Sequence, residues 1–278
     1  MDIAKSPNHA LTASRMLIAW QQALFLRLTP SNRATHFVAY LFYLQLQQYL
    51  KPALSLEAGA HQADFSQKMR AMFPEMQVVA FEASPTVYRH FKNSEGFRQR
   101  NIVYLNLALA ESKGMVPFNA LDEFDGLSGR NSLLERADAP GQKIQVPAIT
   151  GDSFLEDFET ANIALWVDVE GAAGKVLPGF SQSLAAGRFS SVFIEVEGRE
   201  LWPGQWLDRQ VLEFFLEHGY LPVFCDAEHC PPAHATRQYN LVFMRAADLT
   251  PDMIDLLVQT YLNTIDSVEI GSTTSPAC

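Results

Sequence analysis

The chain reads as an α/β protein: a mostly parallel sheet with an antiparallel pair at one edge, preceded by two helices. Three observations predict this. From residue 53 onward short apolar runs alternate with segments of helical spacing, the pattern of strand–helix–strand units joined by right-handed crossovers. The run Ile163–Val167 (I-A-L-W-V) is apolar throughout, as suits a strand buried on both faces. The last two apolar runs, Tyr220–Phe224 and Asn240–Met244, have no helical segment between them, so they pair antiparallel.

Taken in order, Leu17, Trp20, Leu24 and Leu28 share one face of a helix over His9–Leu28. Pro30 breaks it, and Ser31 or Asn32 caps a second helix to about Leu50, with Phe37, Tyr40, Leu41 and Leu44 on its buried side and Lys51-Pro52 as the stop. Residues 1–51 therefore form a helical extension, expected to pack on the sheet or cover a substrate site, with joining two subunits or resting on a membrane as the less common uses. A strand over Ala53–Glu57, a helix over Gln62–Phe73 and a strand over Gln77–Glu82 follow. Pro85 suits the first turn of a helix capped by Ser84 and running to about Asn93. Then come a strand at Asn101–Asn106 and a short added strand at Met115–Asn119. Residues Ala120–Ile149 are rich in Asp, Gly, Ser and Asn and read as a long loop or lid. Asp152 is expected to cap a short helix ahead of the strand Ile163–Asp168. A helix from Ala172 to Ala186, a strand Ser191–Glu195, a helix Leu207–His218, the two edge strands and a closing helix around Pro251–Leu262 complete the domain, residues 52–266. Residues 267–278 read as a flexible tail.

With 278 residues, 48% of them hydrophobic, the chain can bury a sizeable core. Its formal net charge of −10, with no long Lys/Arg run, argues against a nucleic-acid partner. Cys225, Cys230 and Cys278 are too few to form a disulfide framework, so a reducing cytoplasm is expected. The N-terminus makes a poor secretory signal, and the absence of a run of ~18 apolar residues argues against stable membrane insertion.

The chemistry points to the carboxyl ends of the strands, where open α/β sheets bind ligands. Asp168 and Glu170 follow the strand at Ile163 and need water, a cation or hydrogen-bond donors there. Gly59 sits at the first strand-to-helix turn, in E-A-G-A-H-Q-A, where a small backbone lets a ligand approach. The turn lacks the G-x-G-x-x-G that cradles a pyrophosphate, yet Glu82 ends the second strand where a ribose-binding acid belongs. The pair suits a nucleoside cofactor without a pyrophosphate. Asp168, Glu170, Glu195 and Glu197 lie near strand ends and offer hard oxygen ligands; a divalent cation is a secondary reading, and no metal site is assigned. The segment holding Cys225, Asp226, His229, Cys230 and His234 does not have the spacing of a common zinc site. His229, His234 and, beside the glycine turn, His61 are candidate bases.

The ordered set E-A-G-A-H, V-V-A-F-E-A-S-P, L-N-L-A-L-A-E-S-K-G, V-P-A-I-T-G-D-S-F-L and W-V-D-V-E-G-A-A-G-K-V-L-P-G-F, from about Leu54 to Arg245, resembles the FkbM-type methyltransferases. The resemblance implies a Rossmann-like seven-stranded sheet and S-adenosylmethionine as cofactor. It implies that Glu57 holds the methionine amino group, that Gly59 and Ala60 line the methionine part, and that Glu82 accepts both ribose hydroxyls. Ala83 and Ser84 would border the adenine, and Ala108 and Leu109 would lie near the adenine or sulfonium. Asp168 would approach the transferring methyl group, with Glu170 and His61 as further candidate catalytic groups. Ser132 falls in a segment similar to a serine-rich stretch of the family. The chain departs from the family pattern at His61 (usually Asn), Ala63 (commonly Gly) and Ala173 (often an acid). The implied reaction is O-methylation of a small molecule or glycan. The alternatives are N-methylation, or a non-catalytic cofactor-binding or assembly protein whose N-terminal helices mediate contacts, including contacts within a homo-oligomer.

Overall fold

The structure, a computed structural model, describes residues 7–25, 35–93, 97, 101–121, 128–136, 141–225 and 238–273. Two helices, α1 (Pro7–Phe25) and α2 (Thr35–Leu50), lead into β1 (Leu54–Ala58), α3 (Asp64–Met72), β2 (Gln77–Phe81), α4 (Pro85–Phe91) and β3 (Val103–Leu105). Three strands follow: β4 (Ala108–Leu109), β5 (Gly114–Ala120) and β6 (Gln142–Ile149). The chain continues through α5 (Gly151–Leu155), β7 (Ile163–Val167), α6 (Ala173–Val176), α7 (Ser181–Ala185), β8 (Phe189–Glu197), α8 (Asp208–Glu217), β9 (Tyr220–Cys225), β10 (Gln238–Arg245) and α9 (Pro251–Thr273).

Seven strands form the main sheet in the order β3-β2-β1-β7-β8-β10-β9. All run parallel except β10, which pairs antiparallel with both β8 and β9 and so sits one place in from the edge. The strand order reverses between β1 and β7, where a ligand crevice opens at the carboxyl ends. Alternate residues of each strand feed two cores. Leu54, Leu56, Leu165, Val167, Val192 and Ile194 face a layer that includes Val176, Leu177, Phe180 and Phe215. Ala164, Phe193, Val223 and Val242 face the layer built by α1, α2, α3 and α9.

The N-terminal helices belong to that second layer. Phe42 stacks on Phe224 with ring centroids 4.6 Å apart, and Tyr43 packs against Phe65, Trp166 and Phe193. The Tyr43 hydroxyl donates to the Leu165 carbonyl of β7 at 3.0 Å. Gln47 Nε2 donates to Ser191 Oγ of β8 at 3.1 Å. From α1, Ser14 and Gln21 donate to the Pro222 and Val223 carbonyls, so α1 covers the edge strand. No helix among the described residues is long and apolar enough to cross a membrane.

Four sequence expectations change. The closing helix, expected around Pro251–Leu262, runs on to Thr273, into residues that read as a flexible tail. The region 120–149 is not loop throughout. β6 pairs antiparallel with β5 and parallel with β4, making a small second sheet that buries Phe118, Val146 and Ala148. Its signal is the alternation of Ile144, Val146 and Ala148 with Lys143, Gln145 and Pro147. The helix expected over Ala172–Ala186 is broken into α6, a tighter turn at Leu177–Phe180 and α7, because Pro178 supplies no N–H. Thr150, not Asp152, caps α5, its hydroxyl accepting from Ser153 N at 3.1 Å. Asp152 instead caps α7, accepting from the Gln182 and Ser183 amides at 2.9 and 2.8 Å.

Because α2 is core, truncating it is costly. Phe42→Ala is expected to lower stability by ~3–5 kcal/mol, and Tyr43→Phe by about 1 kcal/mol, in urea unfolding. A Phe42→Ala loss below about 1 kcal/mol would mean that the sheet stands without this helix.

Candidate active site

The site begins with a close approach of two strand ends. β1 and β7 are paired in register, and beyond that ladder the Asp168 amide donates to the Ala58 carbonyl at 3.0 Å. Gly59 follows at φ +77°, and a Cβ there would lie 1.7 Å from the Asp168 carbonyl oxygen. Only glycine fits. The amides of Gly59 and Ala60 donate to the Phe81 carbonyl at 3.1 and 2.9 Å, tying the turn to β2. His61 and Ala63 also have positive φ, at 46° and 54°. The turn after β7 is left-handed as well, at Glu170 (φ 50°) and Gly171 (φ 77°). Backbone strain of this kind clusters at functional sites.

Glu82 is buried and fixed from two sides. Its Oε2 accepts from the His61 amide at 2.8 Å, and its Oε1 accepts from the Ser84 amide at 2.7 Å. Ser84 Oγ accepts from Val87 N and caps α4. An ionised carboxylate oxygen can accept more than one hydrogen bond.

Two cavities open at these strand ends. The first, about 260 Å³, is lined by Gly59, Glu82 and Ala83, by Ala108, Leu109 and Phe118, by the strip Asn131–Leu133, and by Asp168, Glu170 and Val176. The second, about 590 Å³, is lined by Tyr40, Glu57, Ala60, Trp166, Glu195 and Asn240 among others. Gly59, His61 and Asp168 line both, so the cavities meet there.

Acids dominate the junction. One carboxylate oxygen each from Asp168, Glu170 and Glu195 lie within 4.8 Å of one another, a set of hard donors able to take a cation. Burial pushes the Asp168 carboxyl above its ordinary range. Burial, with repulsion from Asp168, does the same to Glu170 and Glu195. Burial raises Glu197 to about 7, and its neighbour Gln205 donates to it at 3.0 Å. Burial lowers His61, favouring its neutral form.

Of the residues expected at the site, Gly59, His61, Glu82, Ala83, Ala108, Leu109, Asp168 and Glu170 line the first cavity. Glu57 and Ala60 line the second. Glu57 accepts from the Ser66 amide at 2.9 Å, anchoring the start of α3, and burial raises it to about 8. Ser84 lines neither cavity and acts through Glu82 and α4. Ser132 is buried; its hydroxyl donates to the Glu170 carbonyl at 2.7 Å and accepts from the Leu134 amide. His229, His234, Cys230 and Asp226 lie outside the described residues. The sequence reading missed Asn131, Phe118 and Trp166 as lining residues. Trp166 carries a signal, being the one aromatic in an otherwise aliphatic strand; the signal of Asn131 is its place beside Ser132, in the segment similar to the family's serine-rich stretch.

A family profile described as "Methyltransferase FkbM domain" matches residues 57–222, more than half of the chain. The chain belongs to the FkbM methyltransferase family. No curated protein matches it significantly. Solved structures that this chain matches include the FkbM methyltransferase of Methylobacillus flagellatus, at 13% identity and TM-score 0.40 over 69% of this chain and 43% of that one. The precorrin-6y C5,15-methyltransferase of Geobacter metallireducens matches at 12% and 0.37, over 69% and 78%. The fibrillarin pre-rRNA processing protein of Methanococcus jannaschii matches at 12% and 0.39, over 70% and 67%. The chain thus aligns with under half of the length of the FkbM structure. Within the FkbM family frame, the departures at His61 and Ala63 fall on two left-handed positions, where Asn and Gly carry the lower steric cost.

The buried acids set a pH dependence. Glu57 and Glu197 hold protons more tightly folded than unfolded, with values raised from 4.5 to about 8 and about 7. The native state therefore binds more protons across that window, and stability falls as pH rises through it. Urea midpoints are expected to drop from pH 5 to pH 8, and Glu57→Gln to flatten the slope. A midpoint that rises over this range would contradict the burial of these acids.

Proposed function

We propose that this FkbM-family chain transfers a methyl group from S-adenosylmethionine to a hydroxyl of a small molecule or glycan in the cytoplasm. The observation that carries the reading is the meeting of two cavities at Gly59, His61 and Asp168. One cavity suits a nucleoside, and the other has room for an acceptor.

The residues present fit the cofactor. The Gly59 turn presents bare backbone to both cavities, a Cβ there being excluded by the Asp168 carbonyl. Glu82 offers acceptors for two ribose hydroxyls, and Ala83, Leu109 and Phe118 give apolar walls for a base. When bound, the cofactor supplies a methyl group on a sulfonium, whose transfer is an in-line displacement that depends on positioning. Asp168 stands where the cavities join, and its raised pKa suits it to take a proton from an acceptor hydroxyl near neutral pH. His61, held neutral, is the second candidate base on the same junction. Glu170, raised by burial and by Asp168, is suited to hold a proton and donate a hydrogen bond. A hydroxyl acceptor gives up its proton as it attacks, and these bases stand where they can take it. The second cavity carries Glu57, Asp64, Asp168 and Glu195 against Lys68, which disfavours phosphorylated acceptors and nucleic acid. Tyr40 brings α2 into its wall, so the N-terminal helices act in acceptor binding as well as in the core. The Asp168–Glu170–Glu195 set leaves a divalent cation as a secondary element of the site.

Calorimetry with S-adenosylmethionine and S-adenosylhomocysteine, followed by methyl-transfer assays on hydroxylated acceptors, tests the proposal; failure to bind either compound would sink it. Glu82→Ala is expected to weaken cofactor binding by ~1–3 kcal/mol. Asp168→Asn keeps the size and hydrogen bonding of the side chain and removes the base. It is expected to retain cofactor affinity and to lower turnover by ~10²–10⁴-fold. Near-parental turnover, with no response to Mg²⁺ or a chelator, would remove Asp168 from the chemistry.

A further inference from the structure

The strip Asn131–Leu133 crosses the first cavity from the side of the small sheet. It is held at three points. The Ser132 backbone pairs with Asn119 of β5 in both directions, at 2.8 and 3.3 Å. The Ser132 hydroxyl donates to the Glu170 carbonyl at 2.7 Å. Asn131 Oδ1 accepts from the Leu121 amide at 2.8 Å, just past the end of β5. That last bond fixes the orientation of the Asn131 amide, since the oxygen must face Leu121 and the nitrogen must face away.

The nitrogen is the unexplained group. Asn131 Nδ2 is buried and has no hydrogen-bond partner among the described residues, although Asn131 lines the cavity. Buried donors are rarely left unmade, and leaving one unpaired is costly. The structural work of the side chain is already done by Oδ1, so Nδ2 is spare. A ligand acceptor would satisfy it, and the clamped strip means little freedom is lost on binding.

We propose that Asn131 is a cofactor-binding residue whose Nδ2 donates a hydrogen bond to an acceptor atom of the nucleoside cofactor. This rests on the methyltransferase reading above. Two parts of that cofactor carry suitable acceptors: the nucleoside itself and the carboxylate of the amino-acid arm.

Asn131→Asp separates the two ends of the side chain. It keeps an oxygen for the Leu121 amide and removes the donor; Asn131→Ala removes both. Binding of S-adenosylhomocysteine and of 5′-methylthioadenosine, which lacks the carboxylate, is measured by calorimetry, with thermal midpoints recorded in parallel. Asn131→Asp is expected to bind S-adenosylhomocysteine about tenfold more weakly, the size of one lost hydrogen bond, and to lower the midpoint itself, because a carboxylate is buried there in place of a neutral amide. A similar loss for methylthioadenosine places the acceptor on the nucleoside. A loss confined to S-adenosylhomocysteine places it on the carboxylate. Parental affinity of Asn131→Asp for both compounds would overturn the proposal, as would weakening only in Asn131→Ala together with a lowered midpoint. Absence of binding by the parent chain would overturn this inference and the function it rests on; parental binding unchanged in Asn131→Asp would overturn the Asn131 role alone.

Discussion

The contact between Gly59 and the Asp168 carbonyl sets the geometry on which the site depends. A Cβ at Gly59 would lie 1.7 Å from that oxygen, so the ends of β1 and β7 approach this closely only because residue 59 has no side chain. The Asp168 amide locks the approach by donating to Ala58. Once the two ends are joined, the turn after β1 must leave at positive φ, and it brings the His61 amide to the Glu82 carboxylate. The turn after β7 brings Asp168 to the same point and carries the Glu170 carbonyl to Ser132. Both cavities are walls built around this junction.

The junction stores unfavourable electrostatics. Asp168, Glu170, Glu195 and Glu197 are desolvated together, and all titrate above their ordinary range. Burial of like charges opposes folding above mildly acidic pH, and the apolar layers on either side of the sheet offset it. Strongly raised carboxyl groups gather at functional sites, and the reaction proposed here uses this cluster to accept a proton. The second layer has a double task. α2 seals the sheet with Phe42 and Tyr43 and also presents Tyr40 to the larger cavity, so the fold and the wall of that cavity share one helix.

The sequence was most legible where local signal and tertiary role coincide. β1, β2 and β7 are apolar runs ending in acids or glycine, and both the strands and the carboxylates at their ends could be read directly. The small second sheet was harder: β6 alternates weakly, carries Pro147, and follows a polar stretch that dominates the composition. Pro178 was visible in the sequence, but its breaking of the helix depends on where the chain must turn. Asp152 illustrates a different limit, because a cap for α7 lies 30 residues from the amide it serves. Asn131 and Tyr40 reach the cavities through contacts that no local window contains, and the candidate bases in the loop after Cys225 lie outside the described residues.

The most direct test of the account is a crystal structure of the chain bound to S-adenosylhomocysteine. The adenosine is expected in the smaller cavity, with both ribose hydroxyls on Glu82 and the sulfur at the junction of Gly59, His61 and Asp168, facing the larger cavity. Density for the ligand in the larger cavity, or a sulfur turned away from Asp168, would contradict it.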